Sequence, residues 1–302
     1  MRGGPIDDTN ERLFVRLDED RSHGPESGVP SACLHVLPVP GALRPLVAHV
    51  LAYHERFAPG EEVLERVLPD GAVRLILHEG NDPGDDPGDR PGYGAPSLVL
   101  AGPSMKPALV RLRGRVEGLS ITLQPGAAAT LFGVPARDLV DLAVPLHELW
   151  PRAADELIER LAGQSGTPAK AQVLLQGLAR HAPGPEVQAR QLAARALRAL
   201  RAGAGRRSPR ELAATLGVGE RRLQQIFHDQ VGLTPKAASR LARLHGLLRA
   251  LRHPGAPAWA ELAPDLGFYD QAHLANEFRA LCGLTPGQFM ARSAAGNSKT
   301  AA

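Results

Sequence analysis

Along the last hundred residues, apolar positions recur every three or four residues, break off, and start again in the same way. Glu211-Leu212-Ala213 followed by Leu216-Gly217 returns as Glu261-Leu262-Ala263 followed by Leu266-Gly267, an offset of 50. After one inserted residue the offset becomes 51, and Leu223, Phe227 and Gly232-Leu233-Thr234-Pro235 return as Leu274, Phe278 and Gly283-Leu284-Thr285-Pro286. Each copy predicts a short helix, a glycine turn and a second helix, so the region is expected to hold two helix-turn-helix units in tandem. In the first, Ser208-Pro209-Arg210-Glu211 has the form of a capping box with proline at the first helical position. Its second helix, 220–230, turns Leu223, Ile226 and Phe227 inward. In the second, Asp270 is the expected N-cap of a helix over 271–281 whose inward residues are Leu274, Phe278 and Leu281. Pro264 removes an amide donor and is expected to kink or shorten the helix before that turn. A long helix over 235–251 joins the units. Its Arg240, Arg243, Arg249 and Arg252 are expected to reach phosphates or to pair with neighbouring acids.

Upstream the period is different. Alternating or branched stretches predict strands at 62–68, 72–78, 97–101, 110–115 and 117–123, and the turn Pro69-Asp70-Gly71 predicts that the first two form a hairpin. Residues 43–57 are expected to be a short helix leading into a strand, and 81–94 a loop. Helical spacing follows at 127–131, 136–139, 146–163 and 169–181, and again at 186–202 after Ala182-Pro183-Gly184-Pro185. The expected fold class is α+β, with a small jelly-roll-like β-barrel domain carrying helices, then an all-α domain. The expected domains are 31–181 and 186–292, with the boundary at 182–185. The polar or small-residue composition of 1–30 and 293–302 predicts disordered tails.

Charge divides along the same boundary. Residues 201–302 hold 14 Lys+Arg against 7 Asp+Glu, leaving 21 against 25 upstream, so the whole-chain balance of +3 conceals a basic C-terminal part. A basic helical domain beside a mildly acidic one suits a polyanion-binding module. Only Cys33 and Cys282 are present, without zinc spacing, which predicts neither a disulfide framework nor a structural zinc site. No apolar run has the length of a signal peptide or a membrane span, so a cytoplasmic protein without membrane contact is expected.

With the apolar residues of the second helices turned inward, their other faces carry the candidate readers of double-stranded DNA. These are Arg221, Arg222, Gln224, Gln225 and His228 in the first unit, and Gln271, His273, Asn276 and Arg279 in the second. Arginine and the amides can bond two acceptors or a donor–acceptor pair on a base edge, and they also suit phosphates. The second set is smaller and less basic.

Leu-Gly-Phe-Tyr-Asp-Gln-Ala-His-Leu at 266–274, Glu-Phe-Arg at 277–279 and Gly-Leu-Thr-Pro-Gly-Gln-Phe at 283–289 resemble the DNA-binding domain of the AraC/XylS family of bacterial transcription regulators, over about 186–292. The resemblance implies that two recognition helices enter successive major grooves roughly 34 Å apart on a promoter or operator. It places the reading positions on Arg221, Gln224 and Gln225 and on Gln271, Ala272 and Asn276, and it implies RNA polymerase as a partner. Gln225 and Asn276 stand where the family usually has arginine, Leu274 where it usually has an aromatic, and Ala272 offers a base no polar group. Residues 34–165, through Leu37-Pro38 to Val50, 65–71 and Ala101-Gly102-Pro103, look like the poorly characterised N-terminal domain of one AraC-type subgroup. That implies a cupin-like domain that senses a small-molecule effector or forms a homodimer.

Enzyme chemistry would have to lie upstream. His35, His49, His54 and His78 could gather around a metal, yet they lack the close His pair of cupin metal sites. Asp82, Asp85, Asp86 and Asp89 fit a solvated loop better than a calcium loop. No nucleophile elbow, P-loop or dinucleotide fingerprint is present, and neither cofactor nor metal is expected.

Overall fold

A computed structural model of the chain describes residues 10–81, 97–182, 187–253 and 259–300. Of the loop expected at 81–94, Asn81 ends a strand and the rest, with its four aspartates, lies outside them, as does most of the 182–185 boundary. Among the described residues nine strands form two sheets: β1 (Glu11–Phe14), β2 (Leu34–Leu37), β3 (Val47–Arg56), β4 (Glu62–Val67), β5 (Arg74–Asn81), β6 (Ser97–Ala101), β7 (Ala108–Arg113), β8 (Arg115–Leu123) and β9 (Ala143–Pro145). One sheet has the order β2-β3-β8-β5-β6-β9 and the other β1-β4-β7.

The expected barrel is therefore not formed. The ends of the six-stranded sheet, β2 and the three-residue β9, do not pair, and the sheet stays open. Its apolar face has no need to curl around itself, because helices complete the core. Leu75, Leu77, Leu98, Leu100, Leu119 and Ile121 pack against α1 (Ala127–Phe132), α2 (Leu146–Leu149), α3 (Pro151–Ala162) and α4 (Thr167–Arg180). The expected hairpin across Pro69-Asp70-Gly71 is also absent. β4 pairs with β7 and β1, whereas β5 pairs with β8 and β6, so that turn carries the chain from one sheet to the other. Gly114 does the same between β7 and β8. Phe57, Val63, Leu112 and Val116 fill the space between the sheets.

The largest departure lies at the start. Residues 10–30, expected to be a disordered tail, contain β1 and a buried segment. Leu13, Val15 and Leu17 alternate in the manner of a strand and are buried in the core of the helical domain. Phe14 turns the other way, against Val29, Leu34 and Leu51. Arg12 fastens this segment to both sheets, donating to Glu65 of β4 at 2.8 Å and with both terminal nitrogens to Glu55 of β3 at 2.8 and 2.6 Å.

The helical domain runs through α5 (Val187–Ala202), α6 (Pro209–Leu216), α7 (Glu220–Ile226, prolonged by a π-helical turn over Phe227–Val231), α8 (Pro235–Leu251), α9 (Trp259–Asp265), α10 (Gln271–Cys282) and α11 (Pro286–Thr300). The α11 helix continues through residue 300, where a disordered tail from 293 was expected. The α9 helix ends one residue after Pro264.

Candidate nucleic-acid interface

The repeated tetrapeptide acts as a stop and a start. Gly232 and Gly283 adopt φ of 76° and 70° and end the second helix of each unit, and Leu233 and Leu284 are buried behind them. Thr234 and Thr285 then cap α8 and α11 by accepting from the amides of Ala237 and Gln288, with proline at the first helical position. The tight turns match as well. The Val218 amide donates to the carbonyl of Ala213 at 3.0 Å, and the Phe268 amide to that of Ala263 at 2.9 Å. Both are the six-to-one bond of a Schellman ending, with Gly217 and Gly267 left-handed between. The capping box at Ser208 and Glu211 is present in both directions, at 3.2 and 2.8 Å, and Asp270 accepts from the His273 amide at 2.7 Å.

From these turns onward the copies differ. In the first, Gly219 precedes α7, whereas in the second Tyr269 and Asp270 precede α10. The residue that changes the offset from 50 to 51 is thus an extra turn residue, Tyr269, which is 90% exposed. No candidate drawn from the sequence included it, although the change of offset marked its position.

All nine expected reading residues are exposed. Arg221 and Gln224 on α7, and Gln271, Asn276 and Arg279 on α10, form no side-chain hydrogen bond or ion pair with the described residues. Arg222 donates to Gln225 at 3.2 Å, which orients both side chains along α7. Two histidines are otherwise engaged. His273 Nδ1 accepts from the Tyr269 amide at 3.2 Å, and its ring meets Phe268 edge-on, so it supports the turn. His228 lies 3.4 Å from Asp229, which itself pairs with Arg137 of the sheet domain.

The connecting helix contributes less free charge than its sequence implied. Arg240 pairs with Glu277 at 2.7 Å, and Arg243 lies over the ring of Phe268. Arg249 pairs with Glu19, and Arg252 with Asp20 at 2.8 Å and Glu26 at 2.7 Å, all three acids in the N-terminal segment. Burial opposes the charge on Arg252, but these carboxylates outweigh it and raise its pKa. Cations on the exposed faces of the two units then come mainly from Arg221, Arg222 and Arg279, with Arg207, Arg210 and Lys236 also exposed nearby in sequence.

Residues 212–292 match the model of a helix-turn-helix domain. The C-terminal part of the chain carries a helix-turn-helix domain. Ahead of it, residues 35–145 match the model of a domain of unknown function, DUF6597. No curated protein matches the chain. Among solved structures, ToxT from Vibrio cholerae is similar over 80% of this chain and 98% of its own, at 9% identity and a TM-score of 0.40. ToxT from Vibrio cholerae O395 is similar over 80% and 96%, at 8% identity and 0.38. The AraC-like transcriptional activator CuxR is similar over 67% and 74%, at 14% identity and 0.18. Scores of this size do not establish a common fold.

The histidines of the sheet domain do not converge. His35 and His54 stack at 5.3 Å, His49 lies 3.0 Å from Thr122, and His78 lies 3.2 Å from the Tyr53 hydroxyl. Among the described residues no group of three or more His, Cys, Asp or Glu could hold a metal ion, and no helix is long and apolar enough to cross a membrane.

Proposed function

We propose that the chain is a sequence-specific regulator of transcription of the AraC type, binding double-stranded promoter or operator DNA through its helix-turn-helix domain. The observation that carries this reading is the pair of helix-turn-helix units whose second helices hold their apolar residues inward and leave Arg221, Gln224, Gln225, Gln271, Asn276 and Arg279 exposed. Arg221 and Gln224 are the base readers of the first unit. The second unit, with Ala272 at a reading position, holds the backbone, and Tyr269 adds an aromatic edge beside it. The sheet domain takes a signal or pairs with a second copy, and RNA polymerase is the partner at the promoter.

Genomic fragments selected on the full chain supply the specific site, and fluorescence anisotropy then compares it with random duplex. Arg221→Ala is expected to lose roughly 1–3 kcal/mol on the specific site and much less on random DNA, as a bidentate base contact does. Affinity for both should fall steeply with salt. No fragment bound, or binding indifferent to salt, overturns the proposal, and equal losses on both DNAs reassign Arg221 to phosphate.

A further inference from the structure

A cleft of about 130 Å³ lies where the sheet domain, the N-terminal segment and the helical domain meet. Arg16 enters it from the N-terminal segment, Arg198 and Arg201 from α5, His49 and Thr122 from β3 and β8, and Gln230 from the end of the first recognition helix. Two acids also line it, and both are already satisfied. Asp18 accepts from Arg201 with both oxygens at 3.0 Å. Asp70 takes the Ala72 amide at 3.0 Å and pairs with Arg74. Burial alone would raise the Asp70 pKa, but Arg74 and that amide hold it down to about 2, so it stays an anion committed to them.

Arg16, Arg198 and Gln230 are the less satisfied groups. Arg16 Nε and Gln230 Oε1 are buried without a hydrogen-bond partner, and Arg198 is exposed with none among the described residues. Burial, then the charges of Arg16 and Arg74, push the His49 imidazole down to about 3, so it sits in the cleft as a neutral ring beside the Thr122 hydroxyl. A partly buried guanidinium without a partner and a second, exposed one, beside the neutral Thr122 hydroxyl and His49 imidazole, are the complement of a small oxyanion. A cavity of about 150 Å³ holds a molecule the size of benzene, so the cleft has room for a phosphate group or a short carboxylate.

We propose that this cleft binds a small oxyanion, a phosphate or carboxylate group, with Arg16 and Arg198 as its cationic contacts. The inference rests on the regulator reading only in making the anion a signal. Such a ligand touches all three segments at once, so its binding is linked to how they are held together.

Isothermal titration of the full chain without DNA, at constant ionic strength, uses inorganic phosphate in one arm and malonate in the other. One saturable site per chain is expected for at least one of them, weakened tenfold or more by Arg198→Ala and by Arg16→Gln. Arg198 is exposed and unpartnered, so its variant folds even where Arg16→Gln does not. A phosphate-only result assigns the site to phosphorylated ligands, and a malonate-only result to carboxylates. No saturable binding in either arm, or binding that Arg198→Ala leaves unchanged, overturns the proposal. DNA binding measured on the same preparation separates the two claims: DNA binding without anion binding removes only the cleft, and anion binding without DNA binding removes only the regulator reading.

Discussion

Leu13→Ala tests whether the N-terminal segment is a working part of the helical domain. Leu13 has 0% of its surface exposed and lies in one core with Leu212, Phe227, Leu247 and Phe278. Truncation removes three buried carbons, about 2.4 kcal/mol at about 0.8 kcal/mol each. The cavity left behind adds to that, so the loss is expected near 3 kcal/mol, within the roughly 2–5 kcal/mol of fully buried Leu→Ala changes. The two tryptophans make the assay specific to each domain: Trp150 lies in the sheet-domain core, and Trp259 packs against the cluster that holds Leu13. Urea unfolding followed through Trp259 in a Trp150→Phe background should shift to lower denaturant by about 1 M, taking a slope of about 3 kcal/mol per molar. Leu109→Ala, 43% exposed on β7, is the control and should change stability by less than about 0.5 kcal/mol. A Leu13→Ala loss no larger than the control's would refute the packing of β1 on the helical domain.

Two glycines form a matched pair. Gly217→Ala meets open space and should cost only the left-handed backbone term of about 1–2 kcal/mol, whereas a Cβ at Gly232 lies 2.6 Å from the Ala136 carbonyl and should cost measurably more. Equal melting temperatures for the two variants would contradict the close contact between the domains there. His245 is buried on α8 beside the Pro69 carbonyl, and burial is the main cause that lowers its pKa. Its folded pKa thus lies below the unfolded value of about 6.5, so its contribution is complete above that pH and is lost as the pH falls toward the folded value, by at most about 1.4 kcal/mol per pH unit. Urea midpoints at pH 7.5 and 5.5 should therefore differ less in His245→Gln than in the natural chain, and an unchanged difference would remove His245 from the account.

The helical half was legible because its signals are local. Capping serines and threonines, left-handed glycines and first-turn prolines set helix ends within a few residues, and the repeat states them twice. Strand positions upstream were legible for the same reason, but strand partners were not. Pro69-Asp70-Gly71 is as good a turn for crossing between sheets as for closing a hairpin, and the long-range pairing of β4 with β1 and β7, and of β5 with β6 and β8, selects the crossing. Barrel closure failed as an expectation because four helices cover the face a barrel would enclose. The segment at Leu13 escaped notice because its alternation is only three apolar residues long and lies among charges. Tyr269 is a different case, since the change of offset marks one inserted residue between Gly267 and Leu274 but not its place, which the turn before α10 decides.

The position of that first strand has a consequence for synthesis. Glu11 bonds Arg292 across 281 residues of chain. A ribosome adding about 5–20 residues per second leaves Leu13, Val15 and Leu17 waiting on the order of 15–60 s for the helices that bury them. Such an apolar strand is an aggregation hazard unless charged neighbours guard it. Arg12, Arg16 and the acids at 18–20 do so in the nascent chain, and after folding four of those five, Arg12, Asp18, Glu19 and Asp20, pair with residues of the sheets and helices.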